Sequence, residues 1–374
     1  MKKLSRRSLS LLLVLCFLVL ALPMSGCSSV DDRAVLSLGD LTYTAGMYRY
    51  QMAMKKTEIL STYYQENLST ATEFVDIPAF WDTMYDETQT MRAYIESYIL
   101  NSARATLYYA NLAKKQGISL SEEEYDTIRE DLADLVELKG SKSKLNDYLS
   151  IVGLDYDELF ALFEMQDLAS KMQNTMYNMT IGSSRITDEE MWQYYLKNYS
   201  VVKHVFINNF TKTAETGKVV PLTAEEKAEK QVLIDRVLDG LKAGKDIKDF
   251  AELSEDNFSK DKPDGLVIYE DATGFTAYEN AALALKVGDY TLLEVKSGEY
   301  AGSYIIKRYK NTEELFLSNL STTGENGETY TYKQVAFVTL TQEKIENTVK
   351  NVTTIATDTF VIESISVSDA PLLT

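Results

Sequence analysis

Side chains that could carry out covalent or metal chemistry are scarce in this sequence of 374 residues. It contains one histidine, His204, and two cysteines, Cys16 and Cys27. A single histidine excludes a two-histidine metal site, and it limits a serine–histidine–aspartate arrangement to His204. Cys16 lies in an apolar N-terminal segment that we expect to be removed. The mature chain would then keep only Cys27, with no internal disulfide and no thiolate metal site. We expect no metal and no cofactor.

The beginning of the chain has the order of an export signal. Four basic residues, Lys2, Lys3, Arg6 and Arg7, precede an almost unbroken apolar stretch over residues 9–22, and small residues follow. This apolar stretch is too short for a comfortable membrane span. We therefore interpret residues 1–26 as a removable secretory signal peptide.

The end of this segment, Met24-Ser25-Gly26-Cys27, resembles the lipobox of bacterial lipoproteins, with Met in place of the usual Leu. The resemblance implies that Cys27 is the lipid-modified first residue and that residues 27–33 are a tether. It implies a location on the outer face of the bacterial cytoplasmic membrane, reached through that anchor. An ordinary signal peptide with an incidental cysteine and a twin-arginine export signal are the alternatives.

Composition limits the partners that this chain can take. The formal net charge is −18, and loss of the four basic residues of the signal segment would make the mature chain more acidic still. Such a charge argues against nucleic acid and against an anionic membrane surface as direct partners. It is compatible with basic or unfolded protein clients. The length predicts about two or three domains.

The sequence over residues 34–199 has the pattern of a mainly helical domain. Alternation around Gly39-Asp40 predicts a small hairpin, and apolar residues recur at helical spacing over about 88–117. Side chains suited to cap helices precede the predicted helices, where their oxygens can accept hydrogen bonds from unpaired backbone N–H groups. The predicted caps are Thr44, Ser121 with Glu124, Asp155 with Glu158, and Thr187 with Glu190.

The pattern changes at residue 200. A β-rich stretch over 201–210, a helix that begins after Thr223, a shorter helix over about 247–256 and a final strand over 303–309 predict a compact domain over 200–310. Residues 311–341 read as a connection that includes a strand over 332–339. Residues 342–374 read as a helix to 356 and an extended end. The predicted fold class is α+β.

The second domain resembles a parvulin-type peptidyl-prolyl isomerase domain, and the first resembles the helical chaperone domain of PrsA- and SurA-type foldases. The parvulin-like pieces occur in family order: residues 203–207, 249–253, 258–261, 281–289 and 302–307. The chaperone-like pieces are residues 38–40, 113–119 and 187–195. The resemblance covers about residues 34–310. It implies an antiparallel sheet with flanking helices in the second domain and leaves open that residues 342–374 pack on the first.

The parvulin resemblance also implies a site. His204 matches the first family histidine, Asp261 the Asp or Cys position, and Tyr304 stands where a second histidine is usual. These three are the candidate catalytic residues. The candidate substrate pocket comprises Tyr278 in place of a usual Phe, Gly274 in place of Met, and Phe275, which could replace part of the missing wall.

The function that these resemblances imply is a membrane-anchored foldase outside the cytoplasm. It would bind unfolded or newly exported proteins and catalyse cis–trans isomerisation of their X-Pro bonds, which requires no covalent chemistry. The departures from the family pattern favour an alternative, a holding chaperone whose parvulin-like domain is inactive. A solute-binding lipoprotein is a remote third reading, and a homodimer is left open.

Overall fold

A computed structural model describes residues 30–68, 74–212, 219–270, 272–298, 300–323 and 329–373. The predicted signal peptide, residues 1–26, and Cys27 lie outside these described residues. None of the helices within them combines the length and the apolar composition that a membrane span requires. The protein is α+β, with antiparallel strand pairs and predominantly helical content.

The secondary structure follows the chain in this order. The helices are α1 (Ala45–Asn67), α2 (Met91–Lys115), α3 (Glu122–Lys139), α4 (Lys142–Ser150), α5 (Tyr156–Met176), α6 (Asp188–Asn198), α7 (Ala224–Lys242), α8 (Phe258–Asp261), α9 (Thr276–Ala284), α10 (Glu313–Phe316), α11 (Tyr332–Lys350) and α12 (Thr359–Glu363), with 3-10 helices at Pro78–Asp82 and Ile247–Leu253. The strands are β1 (Ala34–Leu38), β2 (Leu41–Thr44), β3 (Ser200–Asn208), β4 (Phe210–Lys212), β5 (Val219–Pro221), β6 (Leu266–Ile268), β7 (Tyr290–Val295), β8 (Gly302–Tyr309), β9 (Asn319–Thr323), β10 (Thr329–Thr331) and β11 (Ala356–Thr357).

The helix starts that were predicted from capping residues are confirmed. The Thr44 hydroxyl accepts a hydrogen bond from the Met47 N–H at 3.2 Å at the start of α1. Capping boxes begin α3, α6 and α7, each formed by a Ser or Thr and by a Glu three residues later. Asp155 caps α5. Each cap satisfies N–H groups that the first helical turn leaves without a partner.

The described residues form two compact units, one made of those up to 185 and those from 341 onward, the other of those within 186–340. The sequence placed the first boundary at 199, but α6 belongs to the second unit. Its Met191 and Tyr195 are buried together with Tyr199, Phe316 and Tyr332 in one hydrophobic cluster. The capping box at Thr187 marks where that helix begins but carries no information about the core on which it packs.

In the first unit, the C-terminal residues complete the core of the helical domain. β11 pairs with β1, with Leu36 opposite Thr357. The buried Lys56 ammonium donates to the Ala370 carbonyl and to the Asp76 carboxylate, both at 2.7 Å. Because an ammonium without partners would be costly to bury, these bonds fix the end of the chain against α1.

Three sequence predictions near the C-terminus are wrong. Residues 332–339, predicted as a strand, form the first half of α11, whose start is capped by Thr331 and Gln334. The Thr331 N–H donates to the Gln334 side chain at 2.8 Å, and the Gln334 N–H donates back to the Thr331 hydroxyl at 3.2 Å. The β-branched residues that follow favour a strand, so the sequence pattern did not indicate this capping box. The helix ends at Lys350 rather than at 356, and the end that was predicted to be extended includes α12.

The second unit is built on a four-stranded antiparallel sheet with the order β6-β3-β8-β7. Alternating side chains of the central strands pack on opposite faces. On one face, Val205 and Ile305 contact α7 and the Ile247–Leu253 helix. On the other face, Val202 and Ile306 form a cluster with Tyr278 and Ala282 of α9. The sheet is therefore covered on both sides, and the candidate site lies on the α9 side.

Candidate functional site

Two neighbouring strands position the centre of the site. β3 and β8 are antiparallel, with Phe206 opposite Tyr304 and His204 opposite Ile306. Because His204 and Phe206 are two residues apart on one strand, their side chains lie on the same face, and Tyr304 lies on that face as well. The alternation of the strands thus brings together His204 and Tyr304, which are 100 positions apart in the printed sequence.

Both ring nitrogens of His204 are hydrogen-bonded. Nδ1 lies 2.7 Å from the Tyr278 hydroxyl, and Nε2 lies 2.7 Å from Oδ2 of Asp256. The other carboxylate oxygen of Asp256 accepts from the Ser254 hydroxyl at 2.7 Å. Since an ionised carboxylate can only accept, Nε2 carries the proton in this pair. The imidazole is held in a fixed orientation by a carboxylate on one side and a phenol on the other.

Aromatic rings enclose the imidazole. Phe258 stacks on the His204 ring with centroids 4.0 Å apart, and Tyr278 and Tyr304 meet it edge-on at 5.4 Å and 5.6 Å. Only 6% of His204 is exposed, and the two tyrosines are buried as well. The imidazole is therefore packed among the protein's own aromatic side chains and is almost inaccessible to solvent.

Burial and pairing set the ionisation of the site. Burial would raise the pKa of the Asp256 carboxyl, but the hydrogen bond and charge of His204, together with the Ser254 hydroxyl, outweigh it and lower that pKa. Burial raises the pKa of Tyr304 to about 12 and that of Tyr278 well above its ordinary value. Near neutral pH the carboxylate is ionised and both phenols are neutral. A carboxylate–imidazole–phenol chain without an accessible phenolate is suited to fixing geometry rather than to nucleophilic attack.

One edge of this aromatic cluster reaches solvent. Phe275 stacks on Tyr300 with centroids 4.5 Å apart, and Tyr300 is 40% exposed. Gly274, next to Phe275, has φ +70°, and a Cβ built there would meet nothing within 4 Å. Apart from its chain neighbours, nothing packs against this position, where the resemblance leads one to expect a Met side chain.

The structure brings together most of the residues predicted for the site. His204, Tyr278, Tyr304 and Phe275 form one aromatic cluster. Asp261 is different, because it is exposed at the end of α8, and the carboxylate that contacts His204 belongs to Asp256. The turn of α8 carries Asp261 past the imidazole and leaves Phe258 stacked on it.

Asp256 is the residue that sequence reasoning missed. It lies in the loop between the Ile247–Leu253 helix and α8, five residues before Asp261, and the matching Phe-Ser-Lys-Asp string favoured the later acid. The sequence Ser254-Glu255-Asp256 could have indicated this acid. A Ser hydroxyl two residues before an Asp can donate a hydrogen bond to the Asp carboxylate and hold it in place. Within the described residues, no group of three His, Cys, Asp or Glu side chains is disposed to hold a metal ion.

A second feature of functional interest is a cleft within the first unit. It has a volume of about 420 Å³ and is lined by residues of α2, α5 and α11, with Gln89 at the edge. Its walls carry amide and hydroxyl side chains, and its lining includes a single charged residue, Glu346. The volume lies in the range of ligand-binding clefts, although its walls are more polar than is usual.

Comparison with known proteins gives no relative from which a function could be transferred. The chain matches no protein-family model, and no curated protein matches it either. Its function therefore has to be argued from the geometry of the two features described above.

Proposed function

We propose that this protein is a lipid-anchored chaperone that holds unfolded, newly exported proteins at the outer face of the bacterial cytoplasmic membrane. In this proposal residues 1–26 direct export, and Cys27 carries the anchor. The second unit is a parvulin-like module that has lost most or all of its isomerase activity, because side chains packed around His204 occupy the space that a substrate would need. The ordered parvulin-like pieces of the sequence and its lipobox-like segment support the proposal.

The observation that carries the proposal is the closure of the space around His204. A catalyst of X-Pro rotation must lower a barrier of about 18–20 kcal/mol, and it does so by presenting polar groups and an apolar cup to the substrate amide. Nδ1 of His204 is hydrogen-bonded to Tyr278 and Nε2 to Asp256, and Phe258 stacks on the ring. This arrangement favours a structural role for the polar cluster.

The second candidate function is catalysis of X-Pro isomerisation, as the sequence resemblance implies. It is favoured by the Phe275–Tyr300 pair, which offers an exposed aromatic surface beside the cluster, and by the side chain of Asp256, which is 29% exposed. A proline ring could bind on that surface without entering the filled space. The reaction would then depend on Asp256 and Tyr304 rather than on Asp261.

Two assays on one preparation of residues 28–374 separate these functions. Light scattering would follow the aggregation of reduced, denatured lysozyme, a basic client, with and without the protein. A protease-free assay would follow isomerisation of a proline tetrapeptide. We expect suppression of aggregation at near-stoichiometric amounts and no isomerisation above the uncatalysed rate.

A matched pair of variants distinguishes weak catalysis from contamination. Tyr304→Phe keeps the ring and removes a hydroxyl that donates to the Tyr300 carbonyl at 3.1 Å, whereas Asp261→Asn changes an exposed acid outside the cluster. An isomerase rate that falls in Tyr304→Phe and not in Asp261→Asn would select the catalytic function. Failure to suppress aggregation would refute the chaperone proposal.

A further inference from the structure

The cleft of the first unit contains side-chain amides without partners. Among the residues that the structure describes, the amide groups of Asn101, Gln166 and Gln173 form no hydrogen bond with another residue. By contrast, Gln342 donates to Glu346 at 2.8 Å and Gln89 donates to Asp86 at 2.9 Å. Each unpaired amide offers both a donor and an acceptor, which is the combination that a peptide backbone requires from a partner.

The buried residues of the lining, which form the floor of the cleft, are apolar apart from Thr106. Ala169, Ile345 and Val349 are buried in it, and Ala105 is partly buried. Two of these four side chains are alanines, so the floor leaves room for the side chains of a bound molecule. Polar walls over an apolar floor suit an extended peptide, because its backbone groups point sideways while alternate side chains point down.

Exposed apolar side chains lie close to one end of the cleft. Tyr98, a lining residue, is 43% exposed, and Tyr85 and Met84 are 47% and 59% exposed. Tyr85 stacks on Tyr94, another lining residue, with centroids 3.7 Å apart. Flexible Met and amphipathic Tyr side chains are suited to surfaces that accept many different partners.

We propose that this cleft binds an extended segment of an unfolded polypeptide and that Asn101, Gln166 and Gln173 hydrogen-bond to its backbone. The inference rests on the proposed chaperone function and names the site and the recognition mode. Along α2 the lining runs from Tyr94 to Thr106, a helical rise of about 18 Å, which matches roughly five residues of extended chain. Recognition through the backbone would tolerate most client sequences and would not require proline.

The lining disfavours two other classes of ligand. A charged ligand would find Glu346 as the only charged residue of the lining. A sugar would need a free aromatic face on which to stack, but Tyr94 already stacks on Tyr85, and the Lys55 ammonium lies 5.0 Å from the centre of the Tyr98 ring. The unpaired amides and the small floor residues therefore fit a polypeptide best.

Backbone recognition can be tested with a pair of peptides. A fluorescein-labelled, neutral peptide of about eight residues that alternates Ala, Val and Ser would be titrated with residues 28–374, and binding would be read as anisotropy. Its partner peptide carries N-methyl groups on alternate residues, which remove backbone donors and leave the side chains unchanged. Loss of two or three backbone hydrogen bonds should weaken binding roughly tenfold or more.

Matched variants assign the effect to the cleft. Gln166→Met combined with Gln173→Met should weaken binding of the unmethylated peptide roughly tenfold and leave the weak binding of the methylated peptide nearly unchanged. Gln166→Glu with Gln173→Glu, which keeps the shape and the acceptors, should also weaken binding. Gln65→Met, an exposed glutamine of α1, should not. Equal far-ultraviolet circular dichroism and equal melting temperatures would establish that each variant is folded.

Several outcomes would overturn the inference. These are equal affinity for the two peptides, unchanged affinity in both double variants, or binding of a neutral oligosaccharide without binding of the peptide. If the double variants bind peptide normally while the wild-type chain suppresses lysozyme aggregation, the cleft assignment fails and the chaperone function stands. If the wild-type chain neither suppresses aggregation nor binds the peptide, the proposed function itself fails.

Discussion

The His204 cluster and the amide-lined cleft differ in how their polar groups are used. In the cluster, His204, Asp256 and Tyr278 satisfy one another under a cover of aromatic rings. In the cleft, Asn101, Gln166 and Gln173 carry polar groups without partners in the described structure. Buried polar groups that are paired contribute to stability, whereas accessible groups without partners are available to a ligand. The comparison therefore favours a stabilising role for the cluster, although its sequence resembles a catalytic site. It is also the basis of the binding role proposed for the cleft, which no sequence motif marked.

The largest effect that we predict comes from His204→Ala. The substitution leaves Asp256 and the Tyr278 hydroxyl without their buried partner and opens a cavity under Phe258. It should lower the free energy of unfolding of the second unit by about 2–4 kcal/mol. The two tryptophans, Trp81 and Trp192, lie one in each unit, so urea unfolding in a Trp81→Phe background reports the second unit through Trp192.

Asp261→Ala is the control for this measurement. The residue is exposed at the end of α8, so its replacement should change stability by no more than about 0.5 kcal/mol. If His204→Ala and Asp261→Ala lowered the free energy of unfolding equally, Asp261 would matter to the cluster as much as His204 does. That result would contradict the finding that Asp256, and not Asp261, is the partner of His204. If His204→Ala left the free energy of unfolding unchanged, the cluster would not stabilise the second unit.

Tyr278→Phe should have a smaller effect of the same kind. It keeps the buried ring and removes the hydroxyl that lies 2.7 Å from Nδ1 of His204. The expected loss is about 1–2 kcal/mol, because one buried hydrogen bond disappears and a ring nitrogen is left unpaired. Tyr304→Phe removes a hydroxyl bonded to a carbonyl at the partly exposed edge of the cluster and should cost less. The same urea experiment ranks the two variants, and the reverse ranking would contradict the arrangement described.

Glu158→Gln should stabilise the first unit at neutral pH. One carboxylate oxygen of Glu158 is buried without a partner, and burial, followed by repulsion from Asp155, raises its pKa to about 7. The folded state therefore holds a proton that the unfolded state releases near its ordinary pKa of 4.5. The stability of the wild type falls as pH rises from about 4.5 to 7, and the variant should lack this fall. Because Glu158 is partly exposed, we expect a gain of only about 1 kcal/mol.

The measurement for Glu158 uses the other tryptophan. In a Trp192→Phe background, urea unfolding at pH 5 and pH 8 follows the first unit through Trp81. The difference between variant and wild type should be near zero at pH 5 and should appear at pH 8. A gain of equal size at both values would point to a cause other than ionisation.

The smallest stability effect is expected in the cleft. The pair Gln166→Met and Gln173→Met removes no intramolecular hydrogen bond from the described structure, so the free energy of unfolding should change by less than about 0.5 kcal/mol. The same pair should weaken peptide binding, as described above. If this pair lowered the free energy of unfolding strongly and left peptide binding unchanged, the amides of the cleft would serve stability rather than binding.

Local signals in the sequence predicted much of the fold. Capping pairs such as Ser121 with Glu124 act within one helical turn, and the structure forms them as predicted. A β-rich stretch over 201–210 and a strand over 303–309 were also predicted, and the structure has strands at Ser200–Asn208 and Gly302–Tyr309. Where two local signals competed, prediction failed. Residues 332–339 contain β-branched side chains that favour a strand, but the Thr331–Gln334 cap and packing on Tyr195 and Phe316 select a helix.

The candidate site was predictable only in part. Matching short motifs found His204, Tyr278 and Tyr304, because these positions lie on regular elements whose spacing is fixed. Asp256 lies in an irregular loop, where a shift of a few residues decides which acid reaches the imidazole. The cleft could not be predicted, because it combines glutamines of α5 with residues of α2 and α11 that lie far apart in the chain.

The pairing of β1 with β11 has a consequence for the order of folding. Leu36 and Ser37 pair with Thr357 and Ala356, so β1 cannot complete its pairing until residues 356 and 357 have been synthesised. Such long-range pairing closes a large loop and slows folding. The second unit comprises residues 186–340, and all of them precede the closing segment in synthesis. We expect this unit to form first, while α1 and α2 remain incompletely packed until residues 341–373 arrive.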